Sequence, residues 1–133
     1  MSNSTDIVYL DYAASTPADP RVIEVMTPHF GAAGDFANPS SGHVAGRRSG
    51  AHVERATGQL AELLGCREEE LVWTSGATES DNLAIVGAAR YRAVRGRHLV
   101  TMPTEHKAVA DVFRVLEKQG FVVSWLRPDD TGV

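Results

Sequence analysis

The sequence predicts an α/β fold, and two sets of observations support this prediction. Three short apolar runs, at residues 71–74, 98–102 and 121–126, have the length and composition of buried strands. The stretches between them, from 77 to about 91 and from 107 to 119, space their apolar residues at helical intervals. Strands that alternate with helices in this way form parallel sheets with right-handed crossovers.

The helix predicted over 107–119 has the clearest amphipathic pattern. One face of it is apolar and should turn toward the core, whereas the end of the helix is polar and is followed by Gly120, a typical helix stop signal. The residues expected to face inward are Val109, Val112, Phe113 and Leu116.

The first 29 residues contain one predicted strand and one predicted helix. Residues 1–6 are polar and expected to be loose, and residues 7–10 form a short apolar run typical of a strand. Asp19 followed by Pro20 favours the start of a helix, which should end near His29.

A long amphipathic helix is the main feature of the segment that follows. Residues 31–41 are rich in glycine, proline and serine and predict a loop, and the helix then runs from about His43 to Leu64. Its solvated face carries three arginines, and its apolar stripe comprises Val53, Ala56, Leu60, Ala61, Leu63 and Leu64.

Composition limits the classes of function. The 133 residues are 43% hydrophobic, and the net charge of −4 argues against a dedicated nucleic-acid surface. No apolar run reaches the length of a membrane span, and no signal peptide is evident. Cys66 is the single cysteine, so an internal disulfide is excluded and a cytoplasmic location is expected. No spacing of histidine, cysteine or carboxylate residues predicts a metal site.

The junction between the first predicted strand and the next helix could hold a phosphate group. The first N–H groups of a helix have no partner within it, and the helix dipole places partial positive charge there. Gly76 permits close approach of a ligand, and Thr78 adds a hydroxyl donor. The alternative is helix capping, with Ser75 as the N-cap and with Thr78 and Glu79 favourable in the first turn. The local pattern leaves both interpretations open.

Several motifs, in one order and at similar spacing, indicate a family. They are YLDYAASTP at residues 9–17, NPSSGH at 38–43, TSGATESDN at 74–82 and TEHKA at 104–108. From about Val8 onward the chain resembles the N-terminal part of the cysteine desulfurases, the NifS/IscS group of class-V aminotransferases. The resemblance implies a dimeric fold-type-I enzyme that depends on pyridoxal 5′-phosphate. This chain would form an incomplete part of its large-domain sheet.

The resemblance also implies roles for individual residues. Gly76, Ala77 and Thr78 would bind the cofactor phosphate through main-chain N–H groups and the Thr78 hydroxyl. His106 would stack on the pyridine ring and assist proton transfer, which suits an imidazole near neutral pH. Without the resemblance, His106 would be a polar residue at a helix start, with Thr104 and Glu105 as cap and first turn.

Other parts of the family pattern are absent from these residues. The Schiff-base lysine of the family lies in a Ser-x-His-Lys motif that this sequence does not contain, and Lys107 and Lys118 stand in other contexts. Cys66 occupies a loop between a helix and a strand, so we do not expect it to be the persulfide cysteine. In the family order, the strand at 71–74 would also have no neighbour within this chain, and its backbone groups would remain unpaired.

The resemblance predicts the N-terminal segment of a cysteine desulfurase, incomplete as a catalyst by itself. Residues 1–18 would form a small-domain or interface arm, and residues 19–133 would begin the cofactor-binding large domain. Such an enzyme converts L-cysteine to L-alanine and an enzyme persulfide, which supplies sulfur for Fe–S clusters or thio-cofactors. Its partners would be a second copy or a complementary C-terminal half, and sulfur-acceptor or Fe–S scaffold proteins. The alternatives are a non-catalytic binding or scaffold protein, a selenocysteine lyase, or another class-V aminotransferase relative.

Overall fold

The computed structural model describes residues 7–132, and the chain divides into two compact units between Leu71 and Val72. The expectation of a loose segment at 1–6 lies outside the described residues. No helix within residues 7–132 combines the length and the apolar character that crossing a membrane requires.

Two helices dominate the first unit. Helix α1 spans Pro20–Met26 and continues as a 3₁₀ turn over Thr27–Phe30, which confirms the predicted helix and its end. It begins where it does because the Asp19 carboxylate accepts a hydrogen bond from the Arg21 amide at 2.8 Å and Pro20 needs no amide partner.

Helix α2 spans Val44–Leu64, also as predicted. At its start, Nδ1 of His43 accepts a hydrogen bond from the Gly46 amide at 3.1 Å. At its end, Gly65 adopts the left-handed conformation, with φ of 66°, that glycine tolerates best. Of the predicted apolar stripe, Ala61 is buried, whereas Leu63 and Leu64 are exposed.

A parallel sheet and two helices form the second unit. Helix α3 spans Ala77–Arg92 and strand β1 spans His98–Thr101; helix α4 spans Lys107–Lys118 and strand β2 spans Val122–Trp125. The two strands pair in parallel, with His98 opposite Val122 and Thr101 opposite Trp125. The predicted α/β class and the predicted strands at 98–102 and 121–126 are therefore confirmed.

The core of this unit lies between the two helices and the sheet. Leu116 of α4 is fully buried, and the apolar face predicted for α4 is confirmed, with Val109 partly buried and the other three residues buried. The chain leaves α4 through Gly120, whose φ of 85° again suits glycine. The buried cluster consists of Ala89, Val112, Leu116 and Phe121, with Ile85, Val86, Ala93 and Leu99 packed against it.

Two predicted strands are not formed. Residues 7–10 and 71–74 carry no strand pairing, and Val72 and Trp73 are 67% and 56% exposed. The prediction of a buried strand at 71–74 is wrong for the described residues because a strand needs a neighbour for its backbone hydrogen bonds. In the part of the chain that the structure describes, the sheet has β1 and β2 alone, as the family strand order implies.

Candidate functional site

The turn before α3 is fixed by two side-chain clamps. The Glu79 carboxylate accepts hydrogen bonds from the Ser75 amide at 2.7 Å and from the Ser75 hydroxyl at 2.6 Å. The hydroxyls of Thr74 and Ser80 share a hydrogen bond of 2.6 Å. Both clamps join the segment before the helix to its first turn, so the path of the chain into α3 is set locally.

The N-cap of α3 is Gly76, and no side chain caps it. The alternative interpretation of Ser75 as the N-cap is therefore wrong, because Gly76 occupies the N-cap position and the Ser75 hydroxyl donates to the Glu79 carboxylate. Gly76 has φ of 156° and ψ of −177°, a conformation that L-residues rarely adopt. A Cβ added there would meet no atom within 4 Å, so the backbone lies open to solvent on this side.

The first turn of α3 keeps its amide donors open. Within residues 7–132, no protein acceptor takes the N–H groups of Ala77, Thr78 and Glu79. These groups carry the partial positive charge of a sixteen-residue helix. An anion placed here would satisfy donors that the protein leaves to water.

Thr78 also lies in a groove between α3 and α4. The groove measures about 260 Å³, and Thr78 and Asn82 line it from α3 while Ala108 and Asp111 line it from α4. The Asn82 amide donates to the Thr78 carbonyl at 2.8 Å, which fixes Asn82 along the wall. The first turns of the two helices are therefore neighbours.

His106 is the N-cap of α4. Its Nδ1 atom accepts a hydrogen bond from the Ala108 amide at 3.1 Å, and its side chain is exposed. The expectation of Thr104 as the cap and Glu105 in the first turn is wrong, because the His106 imidazole supplies the cap and the helix begins at Lys107. Since Nδ1 is the acceptor, the proton of the neutral ring is on Nε2.

The structure thus brings the sequence-predicted residues to adjoining helix starts. Thr78 lines the groove together with Ala108, and His106 comes two residues before Ala108 at the N-cap of α4. Sequence reasoning missed the clamp functions of Glu79 and of Thr74 with Ser80. Spacing could have indicated the first clamp, because Ser75 and Glu79 are four residues apart across the helix start. Thr74 and Ser80 are six residues apart, and that spacing gives no such signal.

The family model for the aminotransferase class-V proteins matches residues 8–133. The chain belongs to this family. It is 50% identical over 127 residues to the cysteine desulfurase IscS of Pseudomonas fluorescens strain SBW25, a match that covers 95% of this chain and 31% of that protein. The IscS of Azotobacter vinelandii matches with the same identity and coverage. The chain therefore spans about a third of the length of these relatives.

Solved structures agree with the sequence comparison. A NifS-like protein superposes with a TM-score of 0.80 at 36% identity, covering 90% of this chain and 32% of that one. The protein SspA in complex with cysteine superposes with a TM-score of 0.79 at 42% identity, covering 90% of this chain and 34% of that one. The predicted resemblance to the cysteine desulfurases and the predicted fold class are confirmed.

The lysines of this class-V family member are both on the surface of α4. Lys107 donates a hydrogen bond to the Asp111 carboxylate, to which Arg114 also donates at 2.7 Å. Lys107 and then Arg114 hold the pKa of Asp111 below its usual value, although partial burial opposes them. Lys118 is in the last turn of the helix and is exposed.

Cys66 lies in the first unit, directly after the glycine that ends α2. It is partly buried, and its amide donates to the Ala61 carbonyl at 3.0 Å as part of the helix stop. Next to it, the Arg67 side chain pairs with Glu70 at 3.2 Å. These contacts explain the local backbone, and the expectation that Cys66 is not the persulfide residue stays a prediction.

Proposed function

We propose that this chain forms part of the pyridoxal-phosphate-binding large domain of a cysteine desulfurase. In this proposal Gly76, Ala77 and Thr78 hold the cofactor phosphate, and His106 lies against its pyridine ring. The observation that carries the proposal is the uncapped start of α3, where open N–H groups adjoin the first turn of α4.

The residues present fit the phosphate group. The main-chain N–H groups of Ala77 and Thr78 are free to donate, the Thr78 hydroxyl can add a third hydrogen bond, and Gly76 places no side chain in the way. Charge-assisted hydrogen bonds of this kind are about twice as strong as neutral ones. The helix dipole contributes about 0.3–2 kcal/mol in addition.

His106 suits a role beside the ring. The hydrogen bond from the Ala108 amide to Nδ1 fixes the imidazole, and the neutral ring then presents an N–H at Nε2 that can donate a hydrogen bond. For Nε2 to take a proton from the substrate, Nδ1 must release the Ala108 amide and carry the ring proton instead. Bound pyridoxal phosphate would supply the electron sink for charge that develops on the substrate. The chain's own contribution is to grip the phosphate, to orient the ring and to carry a proton at Nε2.

The wider activity belongs to the same proposal. The substrate would be L-cysteine, the products L-alanine and an enzyme persulfide, and the location the cytoplasm. The assembly would contain a second copy or a complementary segment that supplies the cofactor lysine, and sulfur acceptors would collect the product. The division into an arm at 1–18 and a large-domain portion at 19–133 also remains a prediction.

The direct test is the affinity of the 133-residue chain for pyridoxamine 5′-phosphate. This compound keeps the ring and phosphate but has no aldehyde to react with surface lysines, and its fluorescence reports binding. We expect Thr78→Ala to weaken binding by about tenfold or more, since a hydrogen bond to a charged group contributes about 1.5–3 kcal/mol. Thr131→Ala, which removes a hydroxyl bound to Asp129, is the matched control and should bind normally.

A second comparison separates phosphate recognition from other binding. Pyridoxamine without its phosphate should bind much more weakly than the phosphate ester. Equal affinity for the two compounds, or no detectable binding of the ester by the wild-type chain, would contradict the proposed function.

A further inference from the structure

The Glu79 carboxylate does not accept the hydrogen bond that an acidic residue at its position in a helix usually accepts. It is the third residue of α3, and an acidic residue at this position commonly accepts a hydrogen bond from the N-cap amide. Here Oε2 instead accepts both the amide and the hydroxyl of Ser75, the residue before the N-cap. The carboxylate thus binds one residue further out than in a capping box.

This arrangement divides the donors of the turn into two groups. Both donors of Ser75 are occupied by Glu79, whereas the amides of Ala77 and Thr78 have no protein acceptor in the described residues. The second clamp, between Thr74 and Ser80, holds the chain on either side of Gly76. An anion at the start of α3 therefore meets open donors only from Gly76 onward.

We propose that Glu79 is a positioning residue of the phosphate site: by holding both donors of Ser75 it fixes Gly76, so that Ala77 and Thr78 bind the phosphate and Ser75 does not. This inference rests on the proposed function and adds to it a residue that acts through Ser75. Glu79 itself does not touch the phosphate.

The negative charge of Glu79 makes the inference testable, because charge repulsion and a positioning contact predict opposite changes in phosphate affinity when Glu79 is replaced. The hydrogen bond from the Ser75 hydroxyl, and then that from the Ser75 amide, lower the pKa of Glu79, so the carboxylate stays ionised at neutral pH. A negative group beside an anion site repels the anion if it has no other function. Removing that charge would then strengthen phosphate binding, whereas loss of a positioning contact weakens it.

The experiment compares variants of the 133-residue chain in their affinity for pyridoxamine 5′-phosphate. We expect Glu79→Ala and Glu79→Gln to weaken binding by about threefold to tenfold, the change that follows from losing about one hydrogen bond. Glu54→Gln, which removes an exposed charge on α2, should bind like the wild type. Tighter binding by Glu79→Gln, or unchanged binding by both variants, would overturn the assignment.

A double-mutant comparison tests whether Ser75 acts only through Glu79. Combining Ser75→Ala with Glu79→Ala should weaken binding no further than Glu79→Ala alone, because the two residues form one contact. Ser75→Ala should also weaken binding less than Thr78→Ala does. Additive losses, or a loss in Ser75→Ala as large as that in Thr78→Ala, would make Ser75 a direct phosphate ligand and refute the proposal.

Amide hydrogen exchange supplies a readout without any ligand. The Ser75 amide should exchange faster in Glu79→Ala than in the wild type, and Glu54→Gln should leave it unchanged. If the wild type fails to bind the ester, the proposed function falls and this assignment with it. If the wild type binds but Ser75 exchange and affinity are the same in Glu79→Ala, the positioning role alone is wrong.

Discussion

The Nε2 atom of His52 lies 2.9 Å from the Oδ2 atom of Asp35. His52 belongs to α2 and Asp35 to the loop before it, and the His29 ring meets the His52 ring edge to face at 4.6 Å. The Ser49 hydroxyl also donates to the Asp35 carbonyl at 3.0 Å. Together these contacts fasten the loop between α1 and α2 to the helix that follows.

We therefore expect Asp35→Asn and His52→Ala to destabilise the first unit modestly. Both side chains are about a third exposed, so the pair should contribute about 0.2–1 kcal/mol, with the ring contact adding to the loss in His52→Ala. Urea unfolding followed by circular dichroism measures the change. Asp130→Asn is the control, because Asp130 is an exposed aspartate in the second unit. Unchanged midpoints in both variants would show that the loop does not depend on this pair.

A glycine at the N-cap of α3 and a glycine within α3 should respond in opposite directions to substitution by alanine. Gly76 has positive φ at the N-cap, whereas Gly87 lies exposed within the helix, and an added Cβ meets no atom within 4 Å at either position. The difference is therefore one of backbone conformation. Gly76→Ala should lower stability by about 1–2 kcal/mol, and Gly87→Ala should raise it by about 0.5–1 kcal/mol.

Urea midpoints of the two variants and the wild type test this pair. If Gly76→Ala is as stable as the wild type, the backbone at the start of α3 does not hold the conformation described. Gly76→Ala should in addition weaken binding of pyridoxamine 5′-phosphate, because its turn presents the open amides.

The contrast between α4 and residues 71–74 shows what the sequence could predict. The helix was predictable because Val112, Phe113 and Leu116 recur at helical spacing and their burial is decided by nearby residues. The segment at 71–74 is as apolar as β1, but whether it forms a strand depends on a partner that the described residues do not contain. An apolar composition favours a strand, but the strand forms only when its backbone can pair with a neighbouring strand.

The candidate site shows the same division. Gly76 and Thr78 could be named as candidate phosphate ligands from the sequence because a glycine at the start of a helix has a general physical meaning, and their role stays a prediction. The cap at His106 and the clamp from Glu79 to Ser75 could not, because several polar side chains near each helix start compete for the same amides. Which side chain forms the hydrogen bond depends on side-chain geometry, and short motifs do not specify that geometry.

Capping and chemistry at His106 can be separated by substitution. His106→Ala removes the hydrogen bond to the Ala108 amide and should lower stability by about 0.5–2 kcal/mol. His106→Asn supplies a good N-cap without an imidazole and should restore most of that stability. Both variants should lower turnover by about 10²–10⁴ in an active assembly containing this chain, the usual effect of losing a general acid–base group.

His106→Phe completes the comparison. It keeps an aromatic face but no proton, so it should retain more cofactor than His106→Ala while remaining slow. Near-normal turnover in His106→Asn would mean that the residue serves only as a helix cap.

The carboxylate of Asp111 should make part of the chain's stability depend on acid pH. Its hydrogen bond from Lys107, and then that from Arg114, lower its pKa below the ordinary value of 3.8. A group with a depressed pKa in the folded state stabilises that state above its unfolded pKa, and the contribution is lost as pH falls through the folded pKa. Asp111→Asn should therefore lower the urea midpoint at about pH 5 and make progressively less difference as pH approaches about 3.

Asp130→Asn, measured over the same range, is the control for removal of an exposed carboxylate. A gap between Asp111→Asn and the wild type that stays constant with pH would show that the carboxylate acts through packing or an uncharged hydrogen bond. A gap that closes only in the acid range would assign the contribution to the charged contacts with Lys107 and Arg114 at the start of α4.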